Sequence, residues 1–124
     1  MEPDVLVVDD SAAIRKILQR VLRQTGMEIR TIHEAGDGQE ALEILKLHKP
    51  ALILTDINMP KMDGFGFIEG ARKLDAHRST PILVLTTEGD AEKKGRARQA
   101  GATGWIIKPF SPVKLIEVLR RVAP

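Results

Sequence analysis

The chain has 124 residues, of which 43% are hydrophobic and 29% charged, with a net charge of +2 and no cysteine. This length predicts a single domain over residues 1–124, and the composition excludes disulfides, cysteine-ligated metals and cysteine nucleophiles, while the small positive charge gives no reason to expect a nucleic acid partner. No apolar run approaches a membrane span and the first residues lack a signal-peptide pattern, so we expect a cytoplasmic protein without a membrane partner.

Apolar runs of strand length alternate with segments of helical periodicity along the chain. In chain order, the predicted strands cover residues 5–8, 29–34, 51–55, 82–85 and 104–108. The predicted helices cover 14–22, 41–45, 65–72, 92–100 and 112–119, the last of them capped by Ser111. A strand–helix unit that recurs in this way predicts a parallel sheet with helices on both faces, and so an α/β fold.

Polar residues stand where four of these strands end. Asp9 and Asp10 follow the first strand, Asp56 follows the third, Thr86 follows the fourth and Lys108 ends the fifth. Ligands of open parallel sheets bind just beyond the carboxyl ends of the strands, where the strand order reverses. We therefore expect these side chains to meet on one rim of the sheet, although they are distant in the sequence.

Three carboxylates on one rim require positive charge beside them. Two like charges about 4 Å apart repel by about 4 kcal/mol at an effective dielectric constant near 20. Lys108 supplies one positive charge, and a divalent cation would supply two. The donors are all oxygens, and His33, His48 and His77 are scattered without ligand spacing, so the site favours Mg²⁺ or Mn²⁺ over Zn²⁺. Mg²⁺ usually also binds phosphate oxygens, which predicts a phosphate-bearing guest.

Four motifs at these strand ends resemble one known family. They are DD at 9–10, LTDINMPKMDG at 54–64, LTT at 85–87 and IKPF at 107–110. Together, and over essentially the whole chain, they resemble the receiver domain of bacterial two-component response regulators, of the single-domain chemotaxis (CheY-like) type. The resemblance implies a doubly wound, five-stranded parallel sheet with strand order 2-1-3-4-5, as in flavodoxin.

The resemblance also implies roles for the rim residues. Asp56 matches the aspartate that accepts a phosphoryl group from a kinase phosphohistidine. Asp9 and Asp10 match the acidic pair that holds Mg²⁺ together with Asp56 and the backbone carbonyl of Asn58. The protein would catalyse its own phosphorylation and dephosphorylation and would otherwise not be an enzyme.

Three further residues match the family's switch. Lys108 matches the lysine that pairs with the phosphoryl oxygens, and its bond to Pro109 is usually cis in such proteins. Thr86 matches the hydroxyl that moves toward the phosphoryl group. Trp105 matches an aromatic residue that turns inward, although tyrosine or phenylalanine is more common there. The surface built by the fourth helix, fifth strand and fifth helix is the usual output face, and here it is basic.

These matches imply a monomer that a CheA-like histidine kinase phosphorylates and that binds an output protein such as a flagellar motor switch protein. A phosphorelay intermediate or phosphate sink without motor binding is the alternative within the family. A metal-dependent phosphatase with an aspartyl nucleophile is more remote, because its second acid is missing two residues after Asp56. A flavodoxin-like FMN carrier would need a phosphate-binding loop, whereas DDSAA at 9–13 repels phosphate.

Overall fold

The computed structural model describes residues 3–87, 91–108 and 111–122, over which strands and helices alternate as predicted. The strands are β1 (Val5–Val8), β2 (Ile32–Ala35), β3 (Leu52–Thr55), β4 (Ile82–Thr86) and β5 (Gly104–Ile107). The helices are α1 (Ala12–Gln24), α2 (Gly38–Leu47), α3 (Gly64–Arg72), α4 (Ala91–Ala100) and α5 (Pro112–Val122). None of the helices in the described residues combines the length and the apolar character that crossing a membrane requires.

The strands form one parallel sheet in the order β2-β1-β3-β4-β5. The predicted doubly wound α/β fold and strand order 2-1-3-4-5 are thus confirmed. The order reverses after β2, because β1 pairs with β2 on one side and with β3 on the other. This reversal opens a crevice beyond the carboxyl ends of β1 and β3, which is where a fold of this class binds its ligands.

Two apolar layers hold the helices against the sheet. Successive residues of a strand point to opposite faces, so Leu6 and Val8 join the core under α2, α3 and α4, while Val5 and Val7 join the core under α1 and α5. Strands β1, β3 and β4 are buried along their whole length, as their continuous apolar sequences predict. The rigid central strands therefore fix the positions of the residues that follow them.

The second strand differs from its prediction over 29–34, since it begins at Ile32 and ends at Ala35. The register pairs Val5, the first residue of β1, with Ile32, so residues 29–31 lie before the start of their partner strand. Ile29 is nonetheless buried, because its side chain packs in the core under α1 and α5. The Arg30 N–H donates to the Pro3 carbonyl and the Thr31 carbonyl accepts from the Val5 N–H, so these residues lead into the strand without belonging to its paired register.

Side-chain caps begin the helices that leave the carboxyl edge of the sheet. Ser11 accepts a hydrogen bond from the Ile14 backbone N–H at the start of α1, and Asp37 and Asp63 do the same for α2 and α3. The cap predicted for the last helix is also present, because Ser111 Oγ accepts a hydrogen bond from the Lys114 backbone N–H at 3.0 Å. A 3₁₀ turn at Asp75–His77 was not predicted.

Candidate functional site

Asp9, Asp10 and Asp56 come together at the carboxyl ends of β1 and β3. One carboxylate oxygen of each lies within 4.8 Å of one from each of the others. Asp9 is buried, Asp56 is partly buried and Asp10 is exposed. The sheet itself holds the first two in place, because the Asp9 N–H donates to the Ala35 carbonyl of β2 and the Asp56 N–H donates to the Val8 carbonyl of β1.

Backbone N–H groups satisfy one oxygen on each of the two less exposed carboxylates. Asp9 Oδ1 accepts a hydrogen bond from the Ser11 N–H at 2.9 Å, and Asp56 Oδ1 accepts one from the Ile57 N–H at 2.7 Å. These bonds orient both carboxylates. Their Oδ2 atoms then face the same point, where the ammonium group of Lys108 lies.

Lys108 connects the two acidic strand ends. Its Nζ donates to Asp9 Oδ2 at 2.7 Å and to Asp56 Oδ2 at 3.3 Å, and its side chain is 12% exposed. Burial alone would lower the pKa of Lys108, but the hydrogen bond to Asp9 and the negative charge of Asp56 outweigh it and raise the pKa above its usual value. The lysine is therefore charged at neutral pH.

The residues present fit a hard divalent cation. At the observed spacing, two carboxylates repel by about 3–4 kcal/mol at an effective dielectric constant near 20, and one ammonium group cannot neutralise three of them. The three acidic residues offer oxygen donors alone, which is the set that Mg²⁺ prefers. Asp10 is exposed and so leaves the cluster open toward solvent.

The other predicted site residues lie around this cluster. Asn58 is exposed two residues after Asp56, and Thr86 is fully buried at the end of β4. The Thr86 carbonyl accepts a hydrogen bond from the Lys108 N–H at 2.8 Å, so the two residues are joined through the backbone. Trp105 is half-buried on β5 and packs against the core under α2, α3 and α4. Its Nε1 finds no hydrogen-bond partner within the described ranges.

The sequence model of one protein family, the response regulator receiver domain, matches residues 5–120 of this chain. This match spans nearly the whole chain and contains every residue of the site. The chain belongs to the response regulator receiver domain family. Receiver domains accept a phosphoryl group on an aspartate, bind Mg²⁺ through acidic residues and work with histidine kinases and output proteins.

Individual receiver proteins agree with this assignment. The chain is 42% identical to the chemotaxis protein CheY4 of Vibrio cholerae, with a TM-score of 0.89, over 98% of this chain and 99% of that one. It is 25% identical, with a TM-score of 0.86 and 98% of both chains covered, to the receiver domain of the Pseudomonas aeruginosa sensor histidine kinase PA1611, whose structure holds a magnesium ion in the active-site cleft.

A transcriptional regulator is equally similar in sequence. PdtaR of Mycobacterium tuberculosis is 44% identical over 115 residues, which make up 93% of this chain and 54% of PdtaR. The chain therefore spans about half the length of this relative. The receiver family is common to all these proteins, whereas their outputs differ.

Four residues of this receiver support the site and were not predicted from the sequence. Ser11 binds Asp9, Thr55 Oγ1 donates to the Asp56 carbonyl at 2.8 Å, and Gly64 lies against the backbone of Asp56. Arg15 donates from Nη1 to the Asp9 carbonyl at 2.6 Å and from Nε to Glu34 Oε1 at 3.0 Å. The one available signal was that Ser11 follows the acidic pair at the position of a helix cap.

One expectation falls outside the described residues, because the cis geometry of the Lys108–Pro109 bond involves Pro109.

Proposed function

We propose that Asp56 accepts a phosphoryl group from a histidine kinase in an Mg²⁺-dependent reaction, and that the phosphorylated receiver then binds a partner protein. The observation that carries this proposal is the convergence of Lys108 Nζ on Asp9 and Asp56, at 2.7 and 3.3 Å, from three different strand ends. A structural ion pair would need one carboxylate, whereas a phosphoryl site needs an acceptor, a metal-binding acid and a cation together.

In the proposed reaction an oxygen of Asp56 attacks phosphorus as the phosphorus–nitrogen bond of the donor phosphohistidine breaks. The bond electrons leave with the imidazole, which takes up a proton. Asp9, Asp10, Asp56 and the Asn58 carbonyl would hold Mg²⁺, which when bound offsets the charge of the phosphoryl oxygens. Lys108 already stands between Asp9 and Asp56 and would pair with the same oxygens.

The signal would leave the site through Thr86 and Trp105. A phosphoryl group adds about 1.5 to 2 negative charges and three strong acceptors, which would draw the Thr86 hydroxyl toward Asp56. Trp105 lies one strand away, where the register pairs Val84 with Trp105 and Thr86 with Ile107. Movement of Thr86 would therefore reach β5 through directly paired residues, and Trp105 would turn inward.

The proposed output surface is the one formed by α4, β5 and α5. It exposes Ile107 and Val113, together with the basic residues Arg98, Lys114 and Arg121. Two other basic side chains bind neighbouring elements instead, since Arg96 stacks over Phe65 of α3 and Arg120 donates to the Thr25 carbonyl. An acidic partner segment would suit the three exposed basic residues, and an apolar side chain on that segment would suit Ile107 and Val113.

For the output we propose a chemotaxis regulator that binds a flagellar motor switch protein, since the similarity to CheY4 covers nearly the full length of both chains. The receiver part of a transcriptional regulator is the second candidate, favoured by the 44% identity to PdtaR. The single domain over 1–124, the monomeric state, the cytoplasmic location and the CheA-like kinase stay predictions.

The acceptor assignment is tested with acetyl phosphate and Mg²⁺, followed by intact mass. The wild type should gain one phosphoryl group, and Asp56→Ala should gain none, because the acceptor oxygen is gone. Asp10→Asn should still be modified but at least tenfold more slowly, because it weakens metal binding and keeps the acceptor.

Asp75→Asn is the matched control, since this exposed carboxylate pairs with Arg78 on the surface, outside the acidic cluster. It should react at the wild-type rate. Modification of Asp56→Ala, or equal rates with and without Mg²⁺, would contradict the assignment.

A further inference from the structure

A second cluster of potential metal ligands lies at the opposite, amino-terminal edge of the sheet. It consists of Asp4, His33 and His48, and one ligand atom of each lies within 4.8 Å of one from each of the others. Asp4 immediately precedes β1, whereas Asp9 immediately follows it, so the length of β1 separates this cluster from the phosphoryl site. The proposed signalling function makes no use of these three residues.

Strand register and helix direction explain why these residues meet. Leu6 pairs with His33, and Asp4 is two residues before Leu6. The side chains of Asp4 and His33 therefore point, like that of Leu6, to the face of the sheet that α2 covers. Helix α2 runs back toward the amino-terminal edge and ends at Leu47, which delivers His48 directly to that edge. The three ligands thus come from three separate elements fixed by the fold.

The cluster is already ordered around the carboxylate. Asp4 is 4% exposed, and its Oδ2 lies 3.0 Å from His33 Nε2. The His33 and His48 rings face each other, with centroids 4.3 Å apart and an interplanar angle of 33°. Arg30 donates from Nε to Asp4 Oδ1 at 2.9 Å and from Nη2 to Asp4 Oδ2 at 3.0 Å, which fixes the orientation of the carboxylate. Such outer contacts are typical of carboxylates that bind metals.

The contact between Asp4 and His33 also suits a metal. His33 Nε2 and Asp4 Oδ2 lie 3.0 Å apart, so a cation bound to both atoms would replace the proton of this hydrogen bond.

We propose that Asp4, His33 and His48 form a site for a divalent transition metal of the Zn²⁺ class, with water completing the coordination. Two imidazoles and one carboxylate are the donors that such ions prefer, and Mg²⁺ is a poor match for them. Tetrahedral zinc needs ligand atoms about 3.4 Å apart, given bond lengths near 2.1 Å. His48 is exposed at the end of α2, so a rotation of its ring toward Asp4 would close the remaining gap.

The test is a calorimetric titration of untagged, chelator-treated protein with Zn²⁺ in the presence of excess Mg²⁺, which competes for the oxygen ligands of the acidic cluster. The wild type should bind one Zn²⁺ per chain. His33→Gln and His48→Gln should each weaken binding at least tenfold, and zinc should raise the melting temperature of the wild type but not of His48→Gln. Long-range ¹H–¹⁵N spectra should show shifts for the ring nitrogens of His33 and His48.

Two matched variants separate this site from others. Asp10→Asn weakens the acidic cluster and should bind zinc like the wild type, and Asp75→Asn, which changes an exposed carboxylate outside both clusters, should do the same. His48→Gln changes an exposed side chain and should keep the fold, which circular dichroism checks. The proposal is overturned if the wild type binds no zinc, if His48→Gln binds it unchanged, if Asp10→Asn abolishes binding, or if one zinc joins two chains on a sizing column.

Discussion

Lys108 determines the charge balance of the site, because its single ammonium group contacts two of the three carboxylates. Its own pKa is raised, so it stays charged throughout the neutral range. In the proposed function the same lysine would bind the phosphoryl oxygens on Asp56. Its backbone N–H already donates to the Thr86 carbonyl, which would link it to the proposed switch.

Replacing Lys108 should therefore separate phosphorylation from switching. We expect Lys108→Ala to accept a phosphoryl group about ten- to a hundredfold more slowly, because one stabilising charge is lost. Once it is fully phosphorylated, the Lys108→Ala variant should have the same intrinsic fluorescence as its unphosphorylated form. Trp105 is the only tryptophan in the chain, so its emission reports on the proposed inward movement directly.

Lys114→Ala is the control for this variant, because Lys114 is an exposed lysine on α5 and Lys108 is the lysine that contacts Asp9 and Asp56. It should behave like the wild type in rate and in fluorescence. A normal fluorescence change in phosphorylated Lys108→Ala would refute the proposed switching role of the lysine.

At the scale of single residues, the sequence predicted which side chains meet at the carboxyl ends of the strands. Asp9, Asp10, Asp56 and Lys108 were identifiable because each follows or ends a strand of recognisable pattern. The supporting contacts of Arg15 and Thr55 were not, because a hydrogen bond to a backbone carbonyl leaves no mark in the residue pattern.

Among the elements, the start of α3 is the one most tightly joined to the site. The Gly64 N–H donates to the Ile57 carbonyl at 2.8 Å, and a Cβ atom on Gly64 would overlap the Asp56 carbonyl and lie 2.7 Å from the Ile57 Cα. Both obstacles are backbone atoms, which cannot turn aside as a side chain can. The glycine therefore lets α3 begin directly against the loop that carries Asp56.

Two glycine substitutions should have opposite effects for this reason. Gly64→Ala should destabilise the protein by about 1–3 kcal/mol and slow phosphorylation, because the backbone of Asp56 has to shift. Gly95→Ala, in the middle of α4, should stabilise it by up to about 1 kcal/mol, because alanine favours the helix. At Gly95 no described atom lies within 4 Å of the added Cβ.

Urea unfolding measures both free energies, and acetyl phosphate measures both rates. Gly95→Ala serves as the control for a general effect of replacing glycine, so its phosphorylation rate should equal that of the wild type. Equal stability changes of the same sign in the two variants would show that the contact at Gly64 does not constrain the loop.

The elements show where pattern reading reaches its limit. Helix periodicity and apolar runs predicted the five strands and five helices of the described residues, but the predicted start of β2 was three residues too early. Residues 29–31 resemble a strand because Ile29 is buried, and only the register with β1 shows that the paired residues begin at Ile32. Residue types indicate whether a segment is buried, whereas strand pairing depends on a segment that is distant in the sequence.

For the molecule as a whole, His77 makes stability depend on pH. Its side chain is 1% exposed, with Nδ1 3.0 Å from Thr80 Oγ1. Burial lowers its pKa below the usual value; the His48 carbonyl opposes this, and the charges of Arg72 and Lys49 add to it. The unfolded chain thus binds a proton at this histidine more readily than the folded chain does.

Stability should consequently fall as the pH drops below about 6.5, the usual histidine pKa, because the unfolded state then gains protons that the folded state does not. Thermal melts at pH 7.5, 6.5 and 5.5 measure this loss. His77→Gln should show a shallower decline, because it removes this group from both states. Other titrating groups are common to the two proteins, so an unchanged slope in His77→Gln would exclude His77 as the cause.

The sequence by itself determined the fold class, the strand order through its resemblance to receiver domains, and which acidic residues and lysine meet at the strand ends. It could do so because strand ends, helix caps and acidic motifs are local patterns. Only the tertiary structure decided the contacts of Arg15 and Gly64 and the meeting of Asp4, His33 and His48. The two histidines lie fifteen positions apart without ligand spacing. Their meeting follows from strand register and from where α2 ends, which are properties of chain segments packed together.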